Sequence, residues 1–143
     1  MDDFGPVLLD TDAWSQFVAA RKLSSPRVTG WRRALEGRPL SISAQTRAEV
    51  LFGARKAGWG PARVEAMKAS LDGIHIAYPT AETVDAWAFL RAECIRVGHP
   101  LQQKIHMGDA WVAATAISLD VPLLAADAVY DHAPGLRVLN PED

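Results

Sequence analysis

Short apolar runs recur along this chain, separated by helical segments, and that alternation limits the possible folds more than any other feature of the sequence. Val7-Leu8-Leu9 reads as a short strand of the fully buried kind. Leu40-Ser41-Ile42-Ser43 and Ile74-His75-Ile76-Ala77 alternate apolar and polar residues with the period of a strand. Val121-Pro122-Leu123-Leu124-Ala125 is a fourth, its proline at the start where proline is tolerated, and Leu136-Arg137-Val138-Leu139 a short fifth. Between them the sequence predicts helices over residues 12–20, 28–36, 46–57, 61–71, 81–97 and 109–119. Pro26 breaks the chain between the first two, and Gly58 and Gly60 stop the third. Pro61 takes a natural first helical position, Thr80 caps the fifth helix, and Gly98 with Pro100 ends it. Strands alternating with helices imply a parallel sheet covered on both faces. The expected fold is therefore α/β, a three-layer α/β/α arrangement around a parallel sheet of about five strands.

A length of 143 residues fits one domain, spanning 1–143. A chain that is 49% hydrophobic and 22% charged has the composition of a folded globular protein, which excludes disorder as its main state. The longest stretch free of charge and histidine, Ala110–Leu119, falls well short of the roughly 18 apolar residues of a membrane span. Met1-Asp2-Asp3-Phe4 is acidic where a secretory signal is basic. The single cysteine, Cys94, can form neither an internal disulfide nor a cysteine-based zinc site. Together these lead us to expect a cytoplasmic protein with no membrane attachment. A net charge of −2 carries no global footprint of nucleic-acid binding, although it says nothing of how charge is distributed.

The chemistry lies in where the acids fall. Asp10 closes the first strand and Asp12 follows two residues on; Asp127 ends the fourth, in Leu123-Leu124-Ala125-Ala126-Asp127. Glu49 lies on the first turns of the helix after strand two, and Asp109 opens the helix that leads into strand four. Positions just past the strand ends of a parallel sheet share its carboxyl edge, where open α/β sheets bind ligands. Asp109 is outside this reasoning, because the start of a helix leading into a strand can lie at either edge. The helix it opens is apolar almost all round and hence buried, so its carboxylate needs a partner. Carboxylates brought close together repel and their pKa values rise; a divalent cation removes the conflict. Oxygen ligands without cysteine or paired histidine select hard ions, Mg²⁺ or Mn²⁺. A water activated at such an ion, with phosphoryl oxygens as substrate ligands, points to metal-assisted hydrolysis of a phosphate ester. Taken singly, Asp12, Asp109 and Asp127 also fit helix caps, and Thr46-Arg47-Ala48-Glu49 matches a capping box. Asp10, which ends a strand, is the hardest to explain in that way.

Four blocks carry a resemblance: Val7-Leu8-Leu9-Asp10-Thr11-Asp12; Ser43-Ala44-Gln45-Thr46-Arg47-Ala48-Glu49-Val50-Leu51-Phe52-Gly53-Ala54; Gly108-Asp109-Ala110-Trp111-Val112-Ala113-Ala114-Thr115-Ala116; and Leu123-Leu124-Ala125-Ala126-Asp127. In this order, over nearly the whole chain, they resemble the acidic blocks of PIN-domain ribonucleases, and in length and block order the VapC toxins of type II toxin–antitoxin pairs. The resemblance implies a PIN-like fold and a Mg²⁺- or Mn²⁺-dependent endoribonuclease that cuts tRNA or rRNA with a metal-activated water. It places Asp10, Glu49, Asp109 and Asp127 as catalytic and metal-site acids. Thr11 matches the small hydroxyl position after the first acid. Asp12 stands where the family often has Asn, and Ala126 replaces the Thr or Arg commonly found nearby. The resemblance further implies a cognate antitoxin that inserts basic side chains near the acidic pocket, and a homodimer. Neutralising the four acids would take the net charge from −2 to +2, so the acidic total does not exclude RNA.

Arg47, Lys104 and His106 are candidate RNA contacts, with Arg55 and Lys56 behind them; solvated surface charge is the plainer reading of each. Of the tryptophans, Trp87 and Trp111 read as core, while Trp14, Trp31 and Trp59 are candidates for a protein interface. Residues 20–37, with Leu23, Val28, Trp31 and Leu35, are the candidate antitoxin or dimer contact. Two rivals stand beside the nuclease. Asp10-Thr11-Asp12, Ser43 and Asp127-Ala128-Val129-Tyr130-Asp131 echo haloacid-dehalogenase-like phosphatases, a reading that leaves Glu49 and Asp109 without a role. The other is a non-catalytic α/β binding module.

Overall fold

The computed structural model of the chain describes residues 4–19 and 25–139. Five parallel strands form one sheet: β1 (Val7–Leu9), β2 (Leu40–Ser43), β3 (His75–Ala77), β4 (Leu123–Leu124) and β5 (Val138–Leu139). Their order across the sheet is β3-β2-β1-β4-β5, with Leu8 opposite both Ser41 and Leu123. The chain thus builds outward from β1 on one side and then returns to its other side, which makes the end of β1 the topological switch point. Among the described residues six α-helices accompany the strands: α1 (Thr11–Ala19), α2 (Pro26–Ala34), α3 (Ala44–Lys56), α4 (Pro61–Asp72), α5 (Ala81–Val97) and α6 (Met107–Leu119).

The strand period divides the core into two halves. Val7, Leu9, Ile42 and Leu124 face one way and pack with Ala13 and Trp14 of α1, Val28 and Trp31 of α2, and Leu71 of α4. Leu8 and Leu123 face the other way, against Leu90 and Cys94 of α5 and Ala110, Val112, Ala113 and Ala116 of α6. This is the expected α/β/α sandwich. No helix among the described residues is long and apolar enough to cross a membrane.

Three of the boundaries that differ from the sequence reading have a clear local reason. β2 runs into α3 without a loop, because Ser43, its last residue, is also the helix cap and accepts from Thr46 N at 3.1 Å. The helix therefore starts at Ala44, Thr46 lies inside it, and the Thr46–Glu49 capping box does not form. Ser25 caps α2 in the same manner and moves its start to Pro26, a residue suited to the first helical position. β4 contracts to two residues between Pro122, which has no N–H to give a ladder, and the turn carrying Asp127.

Nine residues join α5 to α6 and are pinned rather than loose. Gly98 ends α5 in the left-handed region at φ +75°. Next to it His99 accepts from Leu101 N through Nδ1 (3.1 Å) and so donates through Nε2 to the carbonyl of Asp131 (2.8 Å). That fixed tautomer, buried at the base of the loop, ties it to the turn after β4.

Residues 20–24, Leu23 among them, lie outside the described residues. The rest of the proposed contact region is core: Val28 is 3% exposed, Trp31 1% and Leu35 4%. Trp14 is likewise buried against β1. Side chains already filling the space beneath the sheet are not on offer to a partner, so the apolar spacing in that region was a core signal.

Candidate active site

Asp10 continues the β1 ladder by one residue, its N–H bonded to the carbonyl of Leu124 at 3.1 Å, and then turns the chain into α1. Its Oδ1 accepts from Ala13 N at 2.7 Å and its carbonyl from Trp14 N at 2.9 Å. The residue that closes the strand is therefore also the cap of the next helix, so closing a strand does not exclude the capping role. Yet a cap is normally wet, and Asp10 is only 3% exposed. Burial raises its carboxyl pKa from 3.8 to about 7; the Ala13 N–H opposes that, and the negative charges of Asp12, Asp109 and Asp127 add to it. Carboxylates from three distant stretches of the chain are thus brought together, Asp12, Asp109 and Asp127 all within electrostatic reach of Asp10.

Glu49 approaches from α3. Its Oε1 accepts from Thr11 Oγ1 at 2.6 Å, and its Oε2 from Gln45 Nε2, one helical turn earlier, at 2.9 Å. Thr11 Oγ1 also lies 3.1 Å from Thr46 Oγ1, which joins α1 to α3 through hydroxyls. On its far side the Glu49 carboxylate rests against the backbone of Gly108, where a Cβ would come within 2.6 Å of Oε2. Glycine therefore leaves room for the Glu49 carboxylate beside the first turn of α6.

Asp109, in the first turn of α6, is held at both oxygens. Tyr130 donates its hydroxyl to Oδ1 at 3.2 Å, and His106 Nδ1 lies 3.0 Å from Oδ2. Tyr130 is 2% exposed and its ring belongs to the core packed around α6. Burial pushes its phenol far above the usual range, and the carboxylates of Asp109, Asp10 and Glu49 push it further. The hydroxyl therefore stays protonated and remains a donor among acceptors.

Asp127 is exposed and caps the short 3₁₀ turn Ala128–Tyr130, accepting from Val129 N at 2.9 Å. Asp12 is exposed on the first turn of α1. Of the candidate RNA contacts, His106 touches Asp109 and Lys104 is exposed two residues before it. Arg47 is elsewhere, bonded to Asp72 of α4 at 2.9 Å. Three site neighbours escaped the sequence reading. Gln45 was legible, being four residues before Glu49 on one helix face. Gly108 and Tyr130 owe their place to contacts across 59 and 21 residues of sequence, which leave no local signal.

Among the described residues no three His, Cys, Asp or Glu side chains already stand at the spacing of a metal ligand set. The donors nonetheless suit a hard cation: all are oxygens, their charges lack a described basic partner other than His106, and Mg²⁺ needs only one or two direct carboxylates because it keeps several waters. Ser43, which the phosphatase comparison would aim at substrate, is buried and spends its hydroxyl on capping α3.

The family model of the PIN domain matches residues 7–136. This chain belongs to the PIN domain family. The match includes every acid discussed above and replaces the phosphatase reading. PIN domains are nucleases, so membership supports a hydrolase acting on nucleic acids, and nucleases of this family generally use a divalent metal. No curated protein sequence matches the chain significantly. Solved structures of similar fold include VapBC-1 from nontypeable Haemophilus influenzae (TM-score 0.75, 19% identity, covering 96% of this chain and 99% of that one). FitAcB from Neisseria gonorrhoeae is similar at TM-score 0.73 and 22% identity, with 95% and 98% covered. VapBC-5 from Mycobacterium tuberculosis, of the VapBC family of toxin–antitoxin systems, gives TM-score 0.65 and 21% identity over 94% and 98%.

Proposed function

We propose that this PIN domain is the toxin of a type II toxin–antitoxin pair, a Mg²⁺- or Mn²⁺-dependent endoribonuclease acting on tRNA or rRNA in the cytoplasm. The observation that carries the reading is Asp10: a carboxylate 3% exposed, with a pKa raised to about 7, facing the charges of Asp12, Asp109 and Asp127. Such a cluster costs stability in the isolated protein and is relieved by a cation.

Asp10, Glu49, Asp109 and Asp127 would hold that ion, directly or through water. When bound, it supplies an activated water and offsets charge developing on the scissile phosphate. The protein's own part is orientation. Thr11 and Gln45 fix both oxygens of Glu49, His106 braces Asp109, and the Ala13 N–H fixes one oxygen of Asp10. Lys104, exposed two residues before His106, would supply a phosphate contact that positions RNA without reading its sequence.

The structural neighbours are described as complexes of VapBC and FitAcB type, which supports a cognate antitoxin here. A groove of about 530 Å³ runs from Thr11 and Glu49 between α1, α3 and α4, over Val50 and Met67, to Trp59 and Arg63. Its apolar floor and acidic end suit an antitoxin segment that presents aliphatic side chains and one basic group. Tyr78 and Val84 are exposed, and Val84 with Pro79 flanks a second, 420 Å³ hollow against α3 and Trp111; this is the face we assign to a homodimer.

The test is cleavage of a panel of tRNA and rRNA fragments by purified protein with Mg²⁺ or Mn²⁺, beside Asp10→Asn and Asp109→Asn. Metal-dependent cleavage lost in both variants supports the assignment. Equal cleavage by all three proteins removes it.

A further inference from the structure

Asp127 and Tyr130 sit at the two ends of one 3₁₀ turn. The turn is capped by the Asp127 carboxylate, and it delivers the Tyr130 hydroxyl, three residues on, to Asp109 Oδ1 at 3.2 Å. The ring is 2% exposed and belongs to the buried cluster that includes Leu90, Leu101 and Ala110, so the hydroxyl has little freedom to seek another partner. Opposite it, His106 Nδ1 lies 3.0 Å from Oδ2. A carboxylate gripped at both ends has its plane fixed, and each oxygen keeps a further lone pair turned away from its partner.

We propose that Tyr130 is a positioning residue of the acidic centre, its hydroxyl holding Asp109 in the one orientation from which that carboxylate can receive a divalent cation. The inference rests on the metal-dependent reading above and adds to it a residue that none of the four acidic blocks contains. Neither RNA nor the reacting phosphate has to touch the phenol. Groups that orient a metal-binding carboxylate typically alter metal affinity by about 10- to 100-fold when removed. Phe fills the same space as Tyr, so Tyr130→Phe removes the hydrogen bond without opening the core.

The experiment measures Mn²⁺ affinity by electron paramagnetic resonance for the wild type and Tyr130→Phe, together with kcat at rising Mn²⁺ and the melting of both metal-free proteins. The expected result is an affinity for Mn²⁺ about tenfold weaker in Tyr130→Phe, with kcat approaching the wild-type value at saturating Mn²⁺ and melting little changed. Equal Mn²⁺ affinities overturn the proposal, as does a kcat that stays low however much Mn²⁺ is added. A wild type that binds no Mn²⁺ overturns the metal-dependent reading itself and this inference with it. A second measurement needs no variant at position 130. The chain has two tyrosines, so fluorotyrosine labelling gives two ¹⁹F signals, assigned with Tyr78→Phe. Mg²⁺ should shift the Tyr130 signal and leave that of the exposed Tyr78 in place. If the wild type binds Mn²⁺ but the Tyr130 signal does not respond to Mg²⁺, the proposal fails.

Discussion

Glu49 Oε2 lies where a side chain on Gly108 would begin: an added Cβ falls 2.6 Å from that oxygen and 3.0 Å from Gln45 Nε2. Both obstructing atoms are the tips of flexible side chains, so the backbone need not move. Gly108 also sits inside α6 with no unusual backbone conformation, where alanine is the better helix former by about 1 kcal/mol. Gly108→Ala should therefore keep or slightly raise the melting temperature while pushing Glu49 away from Thr11 and Gln45. We expect RNA cleavage to fall by about tenfold or more, with circular dichroism unchanged. A large loss of stability would show that the contact serves packing instead.

Asp10 makes stability depend on pH in a direction opposite to that of an ordinary surface carboxylate. In the unfolded chain it titrates near 3.8, in the folded protein near 7. Between those values the unfolded state gives up a proton that the folded state keeps, so rising pH favours unfolding. The contribution is full below about pH 4, declines up to about pH 7, and amounts to a loss of up to about 4 kcal/mol above it. Asp10→Asn keeps the oxygen that caps α1 and removes the charge. The variant should match the wild type near pH 4 and exceed it at pH 8 in metal-free denaturation, while losing cleavage. Mn²⁺ should stabilise the wild type more at pH 8 than at pH 5 and have little effect on Asp10→Asn. The same stability at pH 8 for both metal-free proteins would contradict this account.

The sheet was legible because strand and helix periods differ, and because the residues that stop helices here, Gly58, Gly98 and the prolines, act locally. The acids at strand ends were legible for the same reason: Asp10 follows β1 and Asp127 follows β4 whatever the rest of the chain does. Asp109 was legible only through the family resemblance, since sequence spacing cannot say at which end of the sheet α6 begins; in the fold its bond to Tyr130, three residues after Asp127, ties it to the same edge. Interfaces were hardest to read. Trp31 and Leu35 are spaced like a surface stripe on α2, but that stripe faces the sheet. Capping residues misled in a subtler way. Thr46 has the chemistry of a cap and the wrong neighbour, for Ser43 reaches its N–H first.

The start of α5 gives a prediction about stability alone. Thr80 Oγ1 accepts from Thr83 N at 3.4 Å, and Thr83 Oγ1 accepts from Thr80 N at 3.0 Å, a reciprocal cap far from the acids in the chain. Thr83, 2% exposed, also bonds Ser118 Oγ at 3.2 Å and so ties α5 to the end of α6. Thr80→Ala should cost about 1 kcal/mol. Thr83→Val should cost more, about 1–3 kcal/mol, because it removes the bonds to both Thr80 N and Ser118 Oγ from a buried position. Urea denaturation followed by tryptophan fluorescence measures both, and cleavage rates of the folded variants should be unaltered.

Arg47 and Lys104 carry the same charge in different circumstances, and the difference predicts opposite outcomes. Arg47 is bonded to Asp72 at 2.9 Å and braces α3 against α4; Lys104 is exposed two residues before His106, which touches Asp109. A phosphate contact by Lys104 would add to binding without taking part in bond cleavage. Lys104→Ala should then raise KM for RNA several-fold at unchanged kcat, and flatten the salt dependence of binding by about 0.7 in the logarithmic slope, the share of one contact to a single strand. Arg47→Ala should leave that slope alone and lower stability by less than about 1 kcal/mol, as befits an exposed ion pair. Steady-state cleavage of a short RNA at several KCl concentrations separates the two; an unchanged slope for Lys104→Ala would remove Lys104 from the RNA path.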